Sequence, residues 1–246
     1  MSLMSRRAIL PAFLAVGIAA SGLATVAEAA SSGHGHRTVM AAIHWPGNKV
    51  QFFLNDGTYV RYDVKADRAD KGYPQPVTDK TWPGLGEFVY NIVAACNGPN
   101  GKAYIFLADG RYLRYDIAAD RVDSGYPVKI TDRNWPGLGR YGEFIIGALN
   151  WPGNKIQFFL SNGQYIRYDL TRDSADEGYP REITNTSWPG VMLYREDITG
   201  VVNWENGKAY LFLQTGKYLR YDIAADRVDD GYPKPFDRVN WPGLAD

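Results

Sequence analysis

The chain has 246 residues, 27 basic and 27 acidic, so its formal charge is zero, and 45% of it is hydrophobic. That composition is ordinary for a globular protein and excludes disorder as the default. It also offers no attraction to a phosphate backbone, so nucleic acid is excluded as a partner.

The first 29 residues read as a secretory signal. Arg6 and Arg7 open it, a stretch rich in Ala, Leu, Val and Gly follows, and Ala27-Glu28-Ala29 fits a small-x-small cleavage site. The paired arginines followed by Ile9 and Leu10 resemble a twin-arginine signal without its usual lysine, which leaves the Sec route open as well. Without Arg6, Arg7 and Glu28 the chain carries 25 basic and 26 acidic residues. No later stretch is long and apolar enough to span a membrane as a helix, so the expectation is an exported, monomeric protein. Residues 30–37 read as a flexible lead-in. His34 and His36 beside glycines are a composition that can catch a transition metal, and the plainer reading is a mobile tail.

The first structural unit begins near Thr38. Val39–Ile43 is a short apolar run bounded by the turn signal Trp45-Pro46-Gly47-Asn48, which reads as a buried strand. Val50–Leu54 and Thr58–Tyr62 are two further strands, and Asp56-Gly57 between them signals a tight hairpin. Equivalent turns hold Asp109-Gly110, Asn162-Gly163 and Thr215-Gly216. The lone cysteine, Cys96, lies in the apolar run Ile92–Cys96. It excludes an intramolecular disulfide and reads as a small buried hydrophobe.

The unit recurs. Tyr-Asp phrases begin at Tyr62, Tyr115, Tyr168 and Tyr221, each 53 positions after the last, and all run on to Gly-Tyr-Pro. Trp-Pro-Gly keeps the same beat at Trp82, Trp135, Trp188 and Trp241, and a lysine does so at Lys49, Lys102, Lys155 and Lys208. Units one and three share WPGNK-(V/I)-QFFL, whereas two and four share GKAY-(I/L)-FL, so a pair was itself duplicated. A unit of this size cannot bury its own apolar face and must stack on its neighbours. Three clear strands and a short or helical outer segment per unit, repeated four times, predict an all-β, four-bladed β-propeller. The expected blades are 38–90, 91–143, 144–196 and 197–246.

This ordered set of spaced elements resembles the haemopexin-like repeat, and it does so in all four copies over residues 38–246. The resemblance implies a propeller with a narrow axial channel that usually holds calcium, sodium or chloride. It implies backbone carbonyls of Met40, Val93, Ile146 and Thr199 as a first layer of ligands, and of Ala42, Ala95, Ala148 and Val201 as a second. The sequence departs from the family in two respects. All four first-layer residues are uncharged where Asp is common, and the disulfide that ties the first blade to the last is missing.

Function is read against the repeat. Arg61, Arg114, Arg167 and Arg220 each precede a Tyr-Asp pair, and features present in every unit are framework rather than a catalytic constellation. No nucleophile elbow, HExxH or phosphate loop is present, which points away from an enzyme, with an extracellular hydrolase as the alternative. Haem needs axial His, Met or Tyr, and the few histidines, His34, His36 and His44, argue against it. Polyamine-like ligands are a further alternative that the resemblance implies. Residues that break the repeat are the better guide. His44 stands where Asn97, Asn150 and Asn203 stand, and Trp45, Trp151 and Trp204 share a turn position that is Gly98 in the second unit. Tryptophan in such a turn can stack on a sugar or anchor a protein, or else cover its own blade edge. The expectation is a secreted, non-catalytic binding module for an extracellular protein or glycan, with a structural cation in the channel.

Overall fold

The computed structural model describes residues 37–245. The expected signal, His34 and His36 lie outside the described residues. Within them the strands form four sheets of one topology. Blade 1 holds β1 (Val39–Trp45), β2 (Lys49–Leu54), β3 (Thr58–Asp63), β4 (Arg68–Ala69) and β5 (Gln75–Pro76). Blade 2 holds β6 (Ile92–Asn97), β7 (Lys102–Leu107), β8 (Arg111–Asp116), β9 (Arg121–Val122) and β10 (Val128–Lys129). Blade 3 holds β11 (Ile145–Trp151), β12 (Lys155–Leu160), β13 (Gln164–Asp169), β14 (Ser174–Ala175) and β15 (Arg181–Glu182). Blade 4 holds β16 (Ile198–Asn203), β17 (Lys208–Leu213), β18 (Lys217–Asp222), β19 (Arg227–Val228) and β20 (Lys234–Pro235).

In each blade the first three strands form an antiparallel meander, and two short strands share the third strand's outer edge. The predicted outer segment is thus a pair of two-residue strands. The hairpins turn on glycines with positive φ, such as Gly57 at 80° and Gly110 at 75°, a conformation that costs glycine little. Short 3-10 turns at Gly86–Asn91, Gly142–Phe144 and Met192–Tyr194 carry the chain from one blade to the next.

The apolar clusters lie between blades. One joins Phe53 and Trp82 of blade 1 to Ile105 and Tyr115 of blade 2, and another joins Phe52 and Tyr62 of blade 1 to Phe212 and Trp241 of blade 4. Blades 2 and 3, and 3 and 4, share equivalent clusters. A single unit has no core of its own, which is why stacking is obligatory.

Each Trp-Pro-Gly segment clamps the next blade. The carbonyls of Pro83, Pro136 and Pro189 accept the backbone N–H of Val122, Ala175 and Val228, and Pro242 accepts that of Ala69 at 2.8 Å. The last contact joins blade 4 to blade 1, so the ring closes by the same bond as its other seams and without a disulfide. The glycine of the motif is required twice over. Gly137 has φ 91°, and a Cβ there would lie 2.5 Å from that of Ala175.

Candidate functional site

The four inner strands β1, β6, β11 and β16 surround the axis, each beside two others, and opposite strands also come within 8 Å between Cα atoms. The axial space is therefore narrow. Each inner strand carries a bulge near its start. The register steps from Val39 to Ala41, Ile92 to Ala94, Ile145 to Gly147 and Ile198 to Gly200. The residues skipped are Met40, Val93, Ile146 and Thr199, which are the first-layer residues named from the sequence. A bulge leaves one residue out of the ladder and re-aims its groups, and it occurs here at one height in all four blades. These four residues are half-buried, whereas Ala42, Ala95, Ala148 and Val201 are buried. The Thr199 hydroxyl donates to the carbonyl of Phe212 at 3.3 Å. Among the described residues no cluster of three or more His, Cys, Asp or Glu could hold a metal. An axial cation would have to rest on backbone oxygens, which suits a hard ion such as calcium.

Near the other end of the inner strands a belt of side chains joins the blades. Asn97 grips blade 1, its Oδ1 accepting the His44 N–H and its Nδ2 donating to the His44 carbonyl, each at 2.9 Å. Asn150 grips Asn97 in the same two ways, at 2.9 and 2.8 Å. Asn203 keeps half of that grip. Its Nδ2 donates to Asn150 at 3.0 Å, while its Oδ1 turns to the N–H of Glu205 at 2.8 Å. His44 closes the circle, its Nε2 hydrogen-bonded to the carbonyl of Asn203. A ring nitrogen with one bond thus replaces an amide that makes two, and the symmetry is broken at the seam between blades 4 and 1.

A cavity of about 650 Å³ opens beside His44, reaching from blade 4 across blade 1 to Asn97, Gly101 and Ile117 of blade 2. His44, Trp45, Lys49, Trp204, Glu205 and Asn206 are among the residues that line it. His44 Nδ1 lies 3.8 Å from Glu205 Oε1, and the Glu205 carboxylate is largely exposed. Lys49 is already committed, at 2.7 Å from both Asp63 and Asp70. The site therefore offers aromatic walls, an imidazole, an exposed carboxylate and amides.

The structure brings three sequence-selected residues together here, His44, Trp45 and Trp204, and leaves Trp151 apart on blade 3. The tryptophans are less open than a free turn position implies. Trp204 is only 8% exposed, and Trp45 and Trp151 are half-buried. Each ring meets the Trp-Pro-Gly ring of its own blade edge-on, at 5.2 Å for Trp45–Trp82, 5.3 Å for Trp151–Trp188 and 5.5 Å for Trp204–Trp241. Such packing is worth about 0.5–1.5 kcal/mol beyond the area buried. They cover their blade edges. Sequence reasoning missed Glu205 and Asn206, which carry no repeat signal beyond standing where the other units have Pro-Gly or Pro-Asn.

The fourfold Arg-Tyr-Asp phrases form a framework. In blade 1 Lys49 bridges Asp63 and Asp70, and Arg61 Nε donates to Asp70 at 2.6 Å while its guanidinium lies over the Tyr73 ring. Lys102, Lys155 and Lys208 repeat the bridge in the other blades. The lysine hydrogen bonds hold Asp63, Asp70, Asp116, Asp169 and Asp222 below the usual carboxylate range. Every blade has this network, and it ties β2, β3 and the outer phrase together. Cys96 is buried as expected, and burial pushes its thiol pKa well up.

No protein-family model matches the chain. It is similar to macrophage metalloelastase of Oryctolagus cuniculus, 26% identical over 196 residues, which are 78% of this chain and 38% of that protein. It is also similar to interstitial collagenase of Equus caballus, 36% identical over 93 residues, 37% of this chain and 18% of that protein. The matched region thus spans well under half the length of these relatives. Among solved structures, a hemopexin fold protein from cow pea superposes with a TM-score of 0.69 at 21% identity, covering 84% of this chain and 96% of that one. A plant albumin from Cicer arietinum showing hemagglutination, and a plant lectin with two metal binding sites from the same source, match with the same figures. With its four closed blades, the chain has the haemopexin-type propeller fold.

Proposed function

We propose that this chain is an exported, non-catalytic binding module that recognises an extracellular glycan or protein at the cavity beside His44, where blades 4, 1 and 2 meet. The observation that carries the reading is the break in symmetry at His44. A fourfold framework needs no histidine there, and His44 and Glu205 of that seam both line the large cavity. A concave site with aromatic walls and a few converging polar groups is the usual form of a ligand pocket. The hemagglutination named for the albumin neighbour and the lectin description of another support a glycan.

A structural cation in the channel is part of the same proposal. The ladder-free residues Met40, Val93, Ile146 and Thr199 would supply carbonyl oxygens, with Ala42, Ala95, Ala148 and Val201 behind them. The metal sites named for the lectin neighbour support this, and calcium fits an all-oxygen shell.

A glycan array probed with the full chain tests the reading. Binding to a related group of glycans is the result expected, and a blank array in the presence of calcium overturns the glycan reading.

A further inference from the structure

Blade 2 lacks the tryptophan that the other three carry. Gly98 stands at that position, with the same backbone bond that Trp204 makes: the Gly98 N–H donates to Lys102 at 2.8 Å, and that of Trp204 to Lys208 at 2.7 Å. No positive φ explains the glycine. The Tyr104 ring stands over it, so that a Cβ on Gly98 would lie 2.3 Å from that ring. Blade 4 shows that this tyrosine does not replace the indole. Tyr210, the counterpart of Tyr104, packs on Trp241 at 5.1 Å with Trp204 still present, 5.4 Å away.

Beside Gly98, in the seam between blades 2 and 3, lies a cavity of about 420 Å³. Tyr104, Tyr112, Tyr126 and Trp135 form its aromatic walls, and Leu170 and Asp173 face them from blade 3. Leu170 is the counterpart of Ile117, which packs, as Trp45 does, against the cluster shared by blades 1 and 2. Trp135 stays as buried as its counterparts, at 3% exposed, so the accessible part of the cavity lies over Tyr104, Tyr126, Leu170 and Asp173. The charged groups are unequal. Arg114 also lines the cavity, but it is paired with Asp123 at 2.5 Å and lies over the Tyr126 ring. Asp173 accepts the Tyr168 hydroxyl at 2.8 Å and has no basic partner among the described residues.

We propose that this seam is a second binding site, which takes a planar aromatic group of indole size bearing an N–H or ammonium group. The ring packs among Tyr104, Tyr126 and Leu170 in the cavity beside Gly98, and the carboxylate of Asp173 accepts the N–H. A cavity left by an absent side chain is refilled by a free molecule of matching shape, because the lining regains its contacts. The site is independent of the one at His44.

Titration of the full chain with tryptamine, followed by NMR, tests this. Saturable binding is expected, with intermolecular NOEs from the indole to the Tyr104, Tyr112 and Tyr126 rings. Indole-3-propionate, whose carboxylate opposes Asp173, should bind at least tenfold more weakly. Gly98→Trp, which supplies the ring in cis, should lower tryptamine affinity at least tenfold, and Asp173→Asn should narrow the gap between the two ligands. N-Acetyltryptophanamide binding as well as tryptamine identifies the guest as a protein side chain, and tryptamine alone identifies it as a free amine. No saturable binding overturns the proposal, as do NOEs elsewhere or equal affinity in a folded Gly98→Trp protein. The NOEs decide the matter in the unmodified chain if that variant does not fold.

Discussion

The backbone N–H of Ala69 in the first blade donates to the carbonyl of Pro242 near the end of the chain, at 2.8 Å. Trp241, one residue earlier, packs on Phe52 at 5.9 Å and Tyr62 at 5.6 Å, again across the seam. The first and last blades are thereby held as successive blades hold one another. If closure is equivalent to the other seams, Trp241→Ala should destabilise the fold as Trp82→Ala does, by about 3–5 kcal/mol. Denaturant unfolding of both variants checks this. A loss under 1 kcal/mol at Trp241 with a full loss at Trp82 would show that the last seam contributes little.

The glycine of Trp-Pro-Gly answers to the neighbouring blade as well as to φ. Gly137→Ala meets Ala175 at 2.5 Å, whereas Gly47→Ala, at φ 82°, meets nothing within 4 Å. Both substitutions strain the backbone, at about 1 kcal/mol. Only the first also pushes a seam apart, which costs about 1–3 kcal/mol more. Equal melting points for the two variants would contradict this account.

Stability should depend on pH at both extremes. The lysine-bonded aspartates, Asp63 and Asp70 among them, have depressed pKa values when folded. Their contribution is complete above the unfolded value of about 3.9 and is lost as pH falls through the folded one. The hydrogen bonds that Lys49 donates to Asp63 and Asp70 raise its pKa, and those that Lys102 donates to Asp116 and Asp123 do the same. That contribution is complete below about pH 10.4 and is lost as pH rises through the folded value. A melting-point profile that is flat between about pH 5 and 10 and falls on both sides is expected. Asp70→Asn should lower the plateau and flatten the acid limb.

Removal of calcium tests the channel proposal. A cation bound only to the folded ring at about a hundred times its Kd adds about 2.7 kcal/mol. Dialysis against a chelator should lower the melting point, and calcium should restore it. No change in either step would show that packing alone closes the ring.

Much of the fold is legible in the sequence, because the repeated marks sit where the chain must turn or touch its neighbour. Trp82 and its counterparts are buried at seams, the Asp-Gly and Asn-Gly turns are hairpin tips, and Cys96 is buried. The two-residue strands such as Arg68–Ala69 and Gln75–Pro76 are too short to leave a periodic pattern. The bulges at Met40, Val93, Ile146 and Thr199 are equally silent, since a bulge is a property of pairing. His44 and Gly98 are visible as departures from the repeat. What they create is not, because each cavity is bounded by residues of two or three blades that only closure brings together.

The most direct test of the binding proposal is the affinity of the full chain for a glycan found on the array, beside that of a His44→Asn, Glu205→Gln variant. Asparagine is what the other three blades carry at the belt position, so this variant keeps the ring closed. The account predicts an unchanged melting point and affinity at least tenfold weaker. Equal affinity in the two proteins would contradict it and move the site away from the seam of blades 4 and 1.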